Sequence, residues 1–486
     1  MTANKKDARA ERSNHDTPPL SPFSSFLMIV LVAFAVLFLL PRPQDISVQG
    51  WRLLAIFLCT ILAMILRPIP VGAAVLTGLT LTVLAQVFSI SQALSAYASS
   101  TVWLVMTAFF IARALINTGL ARRIALVFVR MWGRTSLGIG YALAASDMVL
   151  AGIIPSNGAR VGGVILPITR TLAAVYDSLP GKTAALLGTY LMLALYESDV
   201  IACAMFLTGQ AGNPIGARLA EQSAGVPMSW ASWLHAACVP GMAALALAPW
   251  LTYKLSPPEI RHTPQAAAIA RRELMEMGPM SRHERIVLAV FVLVCGLWAT
   301  SSFHSLDTTT VAFLGVAILL VTKVLSWKDA MQEHVGWDVF VWYGGMIRLG
   351  EGLNEFGLTS AFAGWISSHF AGWSWPALAV VVILVYFYAH YGFASITTHF
   401  ISMYIPFLSI LMAAGAPVPL MAYAMVFFTN LSASLTHYGT TPAPIIFAAG
   451  YVSHGAWWKT GLWMSFINLA IWSSAGLLWW KYIGLW

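Results

Sequence analysis

Pro155-Ser156-Asn157-Gly158-Ala159-Arg160, followed by Gly162-Gly163 and Pro167, is a polar, helix-breaking stretch set inside a long apolar run. A second stretch, Ala394-Ser395-Ile396-Thr397-Thr398-His399, followed by Pro406, repeats the pattern. Each places a hydroxyl four residues before a basic side chain, and the two serines lie 239 positions apart. In hydrocarbon, backbone groups freed by such residues find no water to bond, so these breaks are costly unless they line a site. Two copies in corresponding places point to a substrate site built from the ends of broken helices, the signature of a transporter.

The surrounding composition supports a membrane setting. The chain is 59% hydrophobic and 9% charged, where a soluble domain carries about 25% charged residues. Phe26–Leu40, Leu53–Leu66, Val71–Val87, Ile286–Trp298 and Val311–Val321 have few or no charges. With their flanks, most approach the roughly 20 residues that cross a bilayer. The polar first 25 residues run directly into the first apolar run with no small-residue cleavage site, which reads as an uncleaved first span. Cys59, Cys203, Cys238 and Cys295 are scattered singly and read as small buried hydrophobes, with no metal site. A net charge of +8 is read as basic cytoplasmic loops, with no nucleic-acid partner. No Gly-x-Ser-x-Gly elbow or HExxH pattern supports a membrane hydrolase, and no enzyme is expected.

A polar segment, Lys254 to Arg285, divides the chain with six Lys/Arg and four Glu. It and the N-terminal tail are basic-rich, so both are placed in the cytoplasm. The expected organisation is a tail at 1–25, a first transmembrane repeat at 26–253 with a hairpin at 136–170, a cytoplasmic linker at 254–285, and a second repeat at 286–486 with a hairpin near 376–410. Trp103-Leu104 to Gly119-Leu120, running into the basic amphipathic stretch Ala121–Arg134, has its counterpart in Trp342-Tyr343 to Gly357-Leu358. Gly119 precedes Ser156 by 37 residues, and Gly357 precedes Ser395 by 38. After each serine motif comes a span ending in a Gly/Pro break, Thr208–Pro214 and Tyr438–Pro444. Span, amphipathic arm, broken hairpin and broken helix therefore recur in order. With an odd number of spans per unit, the two halves insert as inverted repeats around a midplane site.

At these motifs the chain resembles the divalent anion/sodium symporter family, in its citrate–succinate antiporter and 2-oxoglutarate–malate translocator branch. The resemblance rests on Pro155–Pro167, Phe393–His399, Met205–Pro214 and Leu435–Tyr451, and extends from about Trp51 to the C-terminus. It implies an all-α, homodimeric elevator carrier with about eleven spans and two re-entrant helical hairpins, in a bacterial inner membrane, carrying a di- or tricarboxylate. Two departures stand out: the first triad reads Ser156-Asn157-Gly158, without the family's threonine, and the second reads Ser395-Ile396-Thr397, without its amide.

The expected substrate-binding set is Ser156, Asn157, Gly158, Ser395, Ile396, Thr397, Gly209, Asn213, Pro214, Thr440, Thr441 and Pro442. Short donors and half-helix N-termini supply the positive potential that an anion needs. Arg160 and His399 are read as fixed cations that compensate the substrate, since a carboxylate about 4 Å from a guanidinium gains roughly 4 kcal/mol at an effective dielectric near 20. An empty site that keeps its charge crosses the bilayer slowly, costing about 3 to above 10 kcal/mol, so obligate exchange against a counter-substrate is expected. No cofactor is expected, and sodium is not favoured. Glu197 and Asp199, acids inside an apolar run, are read as counter-ions for Arg160 or as proton carriers, which leaves a proton- or sodium-coupled symporter as the alternative.

Overall fold

The computed structural model describes residues 22–39, 41–358, 361, 364 and 373–486. Most of the expected N-terminal tail, and nearly all of the amphipathic arm expected after Gly357-Leu358, lie outside them. Among the described residues the molecule is built of helices, with one isolated β-bridge between Thr135 and His262. Among the described residues, seven helices are long and apolar enough to cross a membrane.

Helices α1 (Pro22–Phe34), α2 (Val48–Leu66), α3 (Val71–Leu84) and α4 (Ser100–Asn117) form the entry to the first half. Gly119 then turns the chain at φ +82°, a left-handed conformation that a side chain resists. It opens α5 (Leu120–Trp132), whose arginines and apolar face make it strongly amphipathic. Gly357 has φ +73° at the corresponding place in the second half.

Helix α6 (Ser136–Ala151) is capped by the Thr135 hydroxyl and ends at Gly152, before Pro155. The chain restarts at Gly158 with a π-wound stretch to Ile165 and continues as α7 (Leu166–Ala174), packed back on α6 through that stretch. Helix α8 (Gly188–Met205) is almost wholly buried against α6 and the long α10 (Trp230–Leu255). Between α8 and α10 lie an irregular break and then α9 (Asn213–Ala224).

The polar segment that follows is folded onto the first half. Its helix α11 (Pro264–Glu276) packs on α5, where Arg122 meets Glu273 at 2.9 Å, and just beyond α11 Glu284 meets Arg123 of α5 at 2.6 Å. The amide of Ser136 bonds the Arg261 carbonyl at 3.1 Å, tying this strap to the base of α6.

The second half runs through α12 (Arg282–Ala299), α13 (Thr308–Val321) and α14 (His334–Glu355) to α15 (Trp375–Ala389). Helix α15 buries Leu378, Val382 and Tyr386 on one side and exposes Val380, Leu384 and Val385 on the other. In water that stripe would be a liability; in a membrane protein it suits contact with lipid tails. A short turn at His390–Gly392 leads to α16 (Ile396–Ala413), and α17 (Val418–Leu431) ends in a second irregular break. Helices α18 (Pro442–Ala448), α19 (His454–Ile471) and α20 (Leu477–Tyr482) complete the chain.

Candidate functional site

Four helical segments begin at one place in the fold: the π-wound stretch at Gly158, α9 at Asn213, α16 at Ile396 and α18 at Pro442. Asn157 caps the first through its side chain on the Gly158 amide, and Ser395 caps α16 on the Thr398 amide. The residue types explain the breaks, since proline has no N–H to lose at a helix start and Ser or Asn accepts from the first turn.

The two halves cross at these starts. Asn157 Nδ2 donates to Thr440 Oγ1 at 2.8 Å. Gly158 lies so close to Thr441 that an added Cβ would stand 2.6 Å from its Cγ2. Reciprocally, a Cβ on Gly212 would stand 3.0 Å from Thr397 Oγ1. Asn430 Nδ2 donates to Asn213 Oδ1 at 2.8 Å, and Gln210 Nε2 donates to Asn430 Oδ1 at 3.1 Å. Each serine motif thus meets the break of the opposite half. Ser156, Gly158, Ser395 and Thr397 stay partly accessible and Thr441 is exposed, leaving hydroxyls for a ligand at the crossing. Each helix start contributes up to about half a positive charge.

Several expected site residues are buried. Ile396, Pro214, Gly209 and Pro442 are enclosed by the surrounding helices, and Thr440 is buried within the crossing, where it accepts from Asn157. Asn213 is fully buried, and its Nδ2 bonds the carbonyls of Cys203 and Phe206 at 2.7 and 2.8 Å, satisfying the frayed end of α8. It holds the break together where substrate contact was expected.

Arg160 is the main correction. It is fully buried, and its three nitrogens make five hydrogen bonds, as many as a guanidinium has N–H donors. Two go to carboxylates, Asp147 and Asp199, each at 2.6 Å. Two go to the carbonyls of Ile154 and Gly209 at 3.0 and 2.8 Å, and one to Cys203 Sγ at 3.4 Å. None is left for a substrate, because the charge is consumed by joining the first hairpin tip to the first break. Asp199 is therefore the expected counter-ion, and Asp147 on α6 is a partner that the motif reading missed. It was findable by the same rule that singled out Glu197 and Asp199, an acid inside an apolar helix.

His399 is likewise enclosed. Its ring is fully buried among Tyr386, His390 and Phe393, with Nε2 on the Tyr386 carbonyl at 3.0 Å. It packs between α15 and α16. Glu197 is buried two residues before Asp199 on α8, with the Ser434 hydroxyl beside its carboxyl group. It does not contact Arg160 among the described ion pairs.

The profile of the sodium:sulfate symporter transmembrane region matches residues 24–486. The chain belongs to that family. Its relatives include the putative malate transporter YflS of Bacillus subtilis, 42% identical over 95% of this chain and 96% of that protein. The chloroplastic dicarboxylate transporter 1 of Arabidopsis thaliana is 39% identical over 98% of this chain and 88% of that protein. The citrate/succinate antiporter of Escherichia coli K12 is 33% identical, covering 95% and 98% respectively. Among solved structures, the YdaH transporter of Alcanivorax borkumensis aligns with a TM-score of 0.52 over 95% of this chain and 98% of that one, at 12% identity, a likeness of fold. The family resemblance read from the motifs is upheld, and this member of the sodium:sulfate symporter family is an integral membrane transporter.

Within this transporter, Asn157→Ala removes both the helix cap and the bridge to Thr440 and is expected to cost about 1–3 kcal/mol. Asn157→Asp keeps the shape but brings a carboxylate to Asp199 Oδ2, which Asn157 now approaches at 3.4 Å. The aspartate should therefore melt at a lower temperature than the alanine, the order to be checked by thermal unfolding of the two purified variants.

Proposed function

We propose that the protein is an obligate exchanger of di- and tricarboxylates, working by an elevator mechanism as a homodimer in a bacterial inner membrane with its N-terminus in the cytoplasm. The substrate class rests on the relatives named for malate, dicarboxylates and citrate/succinate. The observation that carries the exchange reading is Arg160. Two carboxylates and two backbone carbonyls converge on it, an oxygen set that would otherwise suit a hard cation. A guanidinium bonded to the chain cannot leave with the substrate, so no sodium ion is needed at this junction. The anion instead faces the helix starts, whose partial charges lack a counter-ion once the site is empty. Carrying that field through the bilayer centre is costly, so the loaded carrier returns and the empty one stays.

One observation favours a second reading. In it Glu197, fully buried beside the Ser434 hydroxyl and in no ion pair among the described residues, carries a proton with the substrate, which would make the protein a proton-coupled symporter.

Proteoliposomes separate the readings. Exchange requires that uptake of labelled malate or succinate depend on an internal dicarboxylate and be indifferent to sodium. Uptake into empty vesicles driven by a sodium gradient would overturn it. Uptake into empty vesicles driven by a pH gradient, and lost in Glu197→Gln, would establish the symporter.

A further inference from the structure

Two carboxyl groups and one guanidinium meet where the first hairpin tip joins the first break, and their charges do not balance. Arg160 Nε lies 2.6 Å from Asp147 Oδ1 and Nη2 lies 2.6 Å from Asp199 Oδ1, with all three side chains at 0% exposure. Nε and Nη2 are adjacent donors on one edge of the guanidinium, so the two carboxyl groups stand side by side, within hydrogen-bonding reach of each other. Asp147 Oδ2 is buried and meets no donor among the described residues. Asp199 Oδ2 takes a long bond, 3.4 Å, from Asn157 Nδ2.

With both carboxyls ionised, the junction would carry one uncompensated negative charge away from all water, a state that buried groups relieve by taking up a proton. Two carboxyls that share one site resist ionising together, and a hydrogen between them turns a repulsion into a bond. We propose that Asp147 and Asp199 hold one proton between them, making the Asp147–Arg160–Asp199 junction neutral and a proton-binding site of the carrier. Such a proton belongs to the pair and not to either residue.

The neighbouring groups supply no second cation. Cys203 touches Arg160 and Asp199 at 3.4 and 3.7 Å. On the same helix Tyr190 and Tyr196 donate to the carbonyls of Pro249 and Ala433, and Glu197 lies beside Ser434. Arg122 and Arg123 of α5 are taken by Glu273 and Glu284. Arg130 on α5, Arg170 on α7, and His235 and Lys254 on α10 are exposed.

Asn157 links the site to the crossing, since the Nδ2 that approaches Asp199 also donates to Thr440 Oγ1 at 2.8 Å. The consequence for transport rests on the reading above, in which the anion faces the helix starts. A neutral junction leaves their field intact. A deprotonated one sets a full negative charge behind the hairpin tip and opposes the anion. At about 10 Å and an effective dielectric near 20, one such charge weakens anion binding roughly ten-fold or more. Dicarboxylate affinity is therefore present while the proton is held and is lost as rising pH removes it.

The test begins without substrate, by infrared spectroscopy of the full-length protein in lipid nanodiscs. The native protein should show the carbonyl stretch of a protonated carboxylic acid that shifts in deuterated water, survives Glu197→Gln, and disappears in both Asp147→Asn and Asp199→Asn. If one aspartate variant does not fold, the other carries the assignment. No such band, or a band that persists in a folded aspartate variant, would overturn the shared proton. Succinate affinity is then measured by calorimetry from neutral to alkaline pH, where succinate is fully ionised. Over the range in which the native band fades, native affinity should fall about ten-fold. Asp147→Asn cannot gain that charge and should hold its own affinity over the same range. A band that fades with no loss of affinity, or that persists wherever the protein stays folded, would overturn the link to the anion and leave the proton in place. Failure of dicarboxylates to bind at any pH would strike the transport reading alone, since the band needs no substrate.

Discussion

Replacing Arg160 with alanine is expected to abolish exchange and to destabilise the fold by about 3–5 kcal/mol, the usual cost of removing one partner from a buried ion pair. Asp147 and Asp199 would be left as two carboxylates at 0% exposure with no cation between them, and the carbonyls of Ile154 and Gly209 would lose a donor. Arg160→Lys keeps the charge but offers three donors from a point, so it cannot serve four oxygens spread over the hairpin and the break. It should retain more stability than the alanine and still fail in transport. Asp147→Asn leaves a balanced one-to-one pair with Asp199 and should be the mildest of the three. Thermal unfolding ranks the stabilities, and labelled dicarboxylate exchange ranks the activities. An active, stable Arg160→Ala protein would refute the clamp.

Gly209→Ala is expected to be nearly as damaging for a steric reason. Here the chain doubles back on the end of α8 so tightly that a Cβ would stand 2.6 Å from the Cys203 carbonyl oxygen and 2.9 Å from its Cα. Those are backbone atoms and cannot swing aside. The break must open to admit the methyl group, at the 1–3 kcal/mol or more typical of overpacking, and the Gly209 carbonyl moves off Arg160 as it does so. Gly163, where a Cβ meets nothing within 4 Å, is the control, and Gly163→Ala should change neither melting temperature nor exchange. Equal loss in both variants would mean that the break tolerates more room than its geometry allows.

Much of this was legible along the chain because broken helices in a membrane advertise themselves. Ser156-Asn157-Gly158, Ser395-Ile396-Thr397 and the two Gly/Pro breaks are conspicuous when apolar residues surround them, and all four fall where helices restart. Gly119 and Gly357 were visible as matching punctuation, and both take left-handed backbone. The direction in which a side chain points was not visible. Arg160 and His399 share a spacing from serine, yet one is enclosed by two acids and the other by aromatic rings. Asn213 sits inside its motif but faces backward onto α8.

The amino-acid order alone determined the membrane setting, the helical class, the doubled breaks and the family, because all of these depend on local hydropathy, proline and glycine placement, and spacing. Only the tertiary structure decided what each polar group faces. Asp147, Arg160 and Asp199 are separated by 13 and 39 residues, and no spacing rule joins positions on different helices of a folded hairpin. Their meeting depends on how α6, the π-wound stretch and α8 pack. That packing turns an apparent substrate cation into an internal clamp.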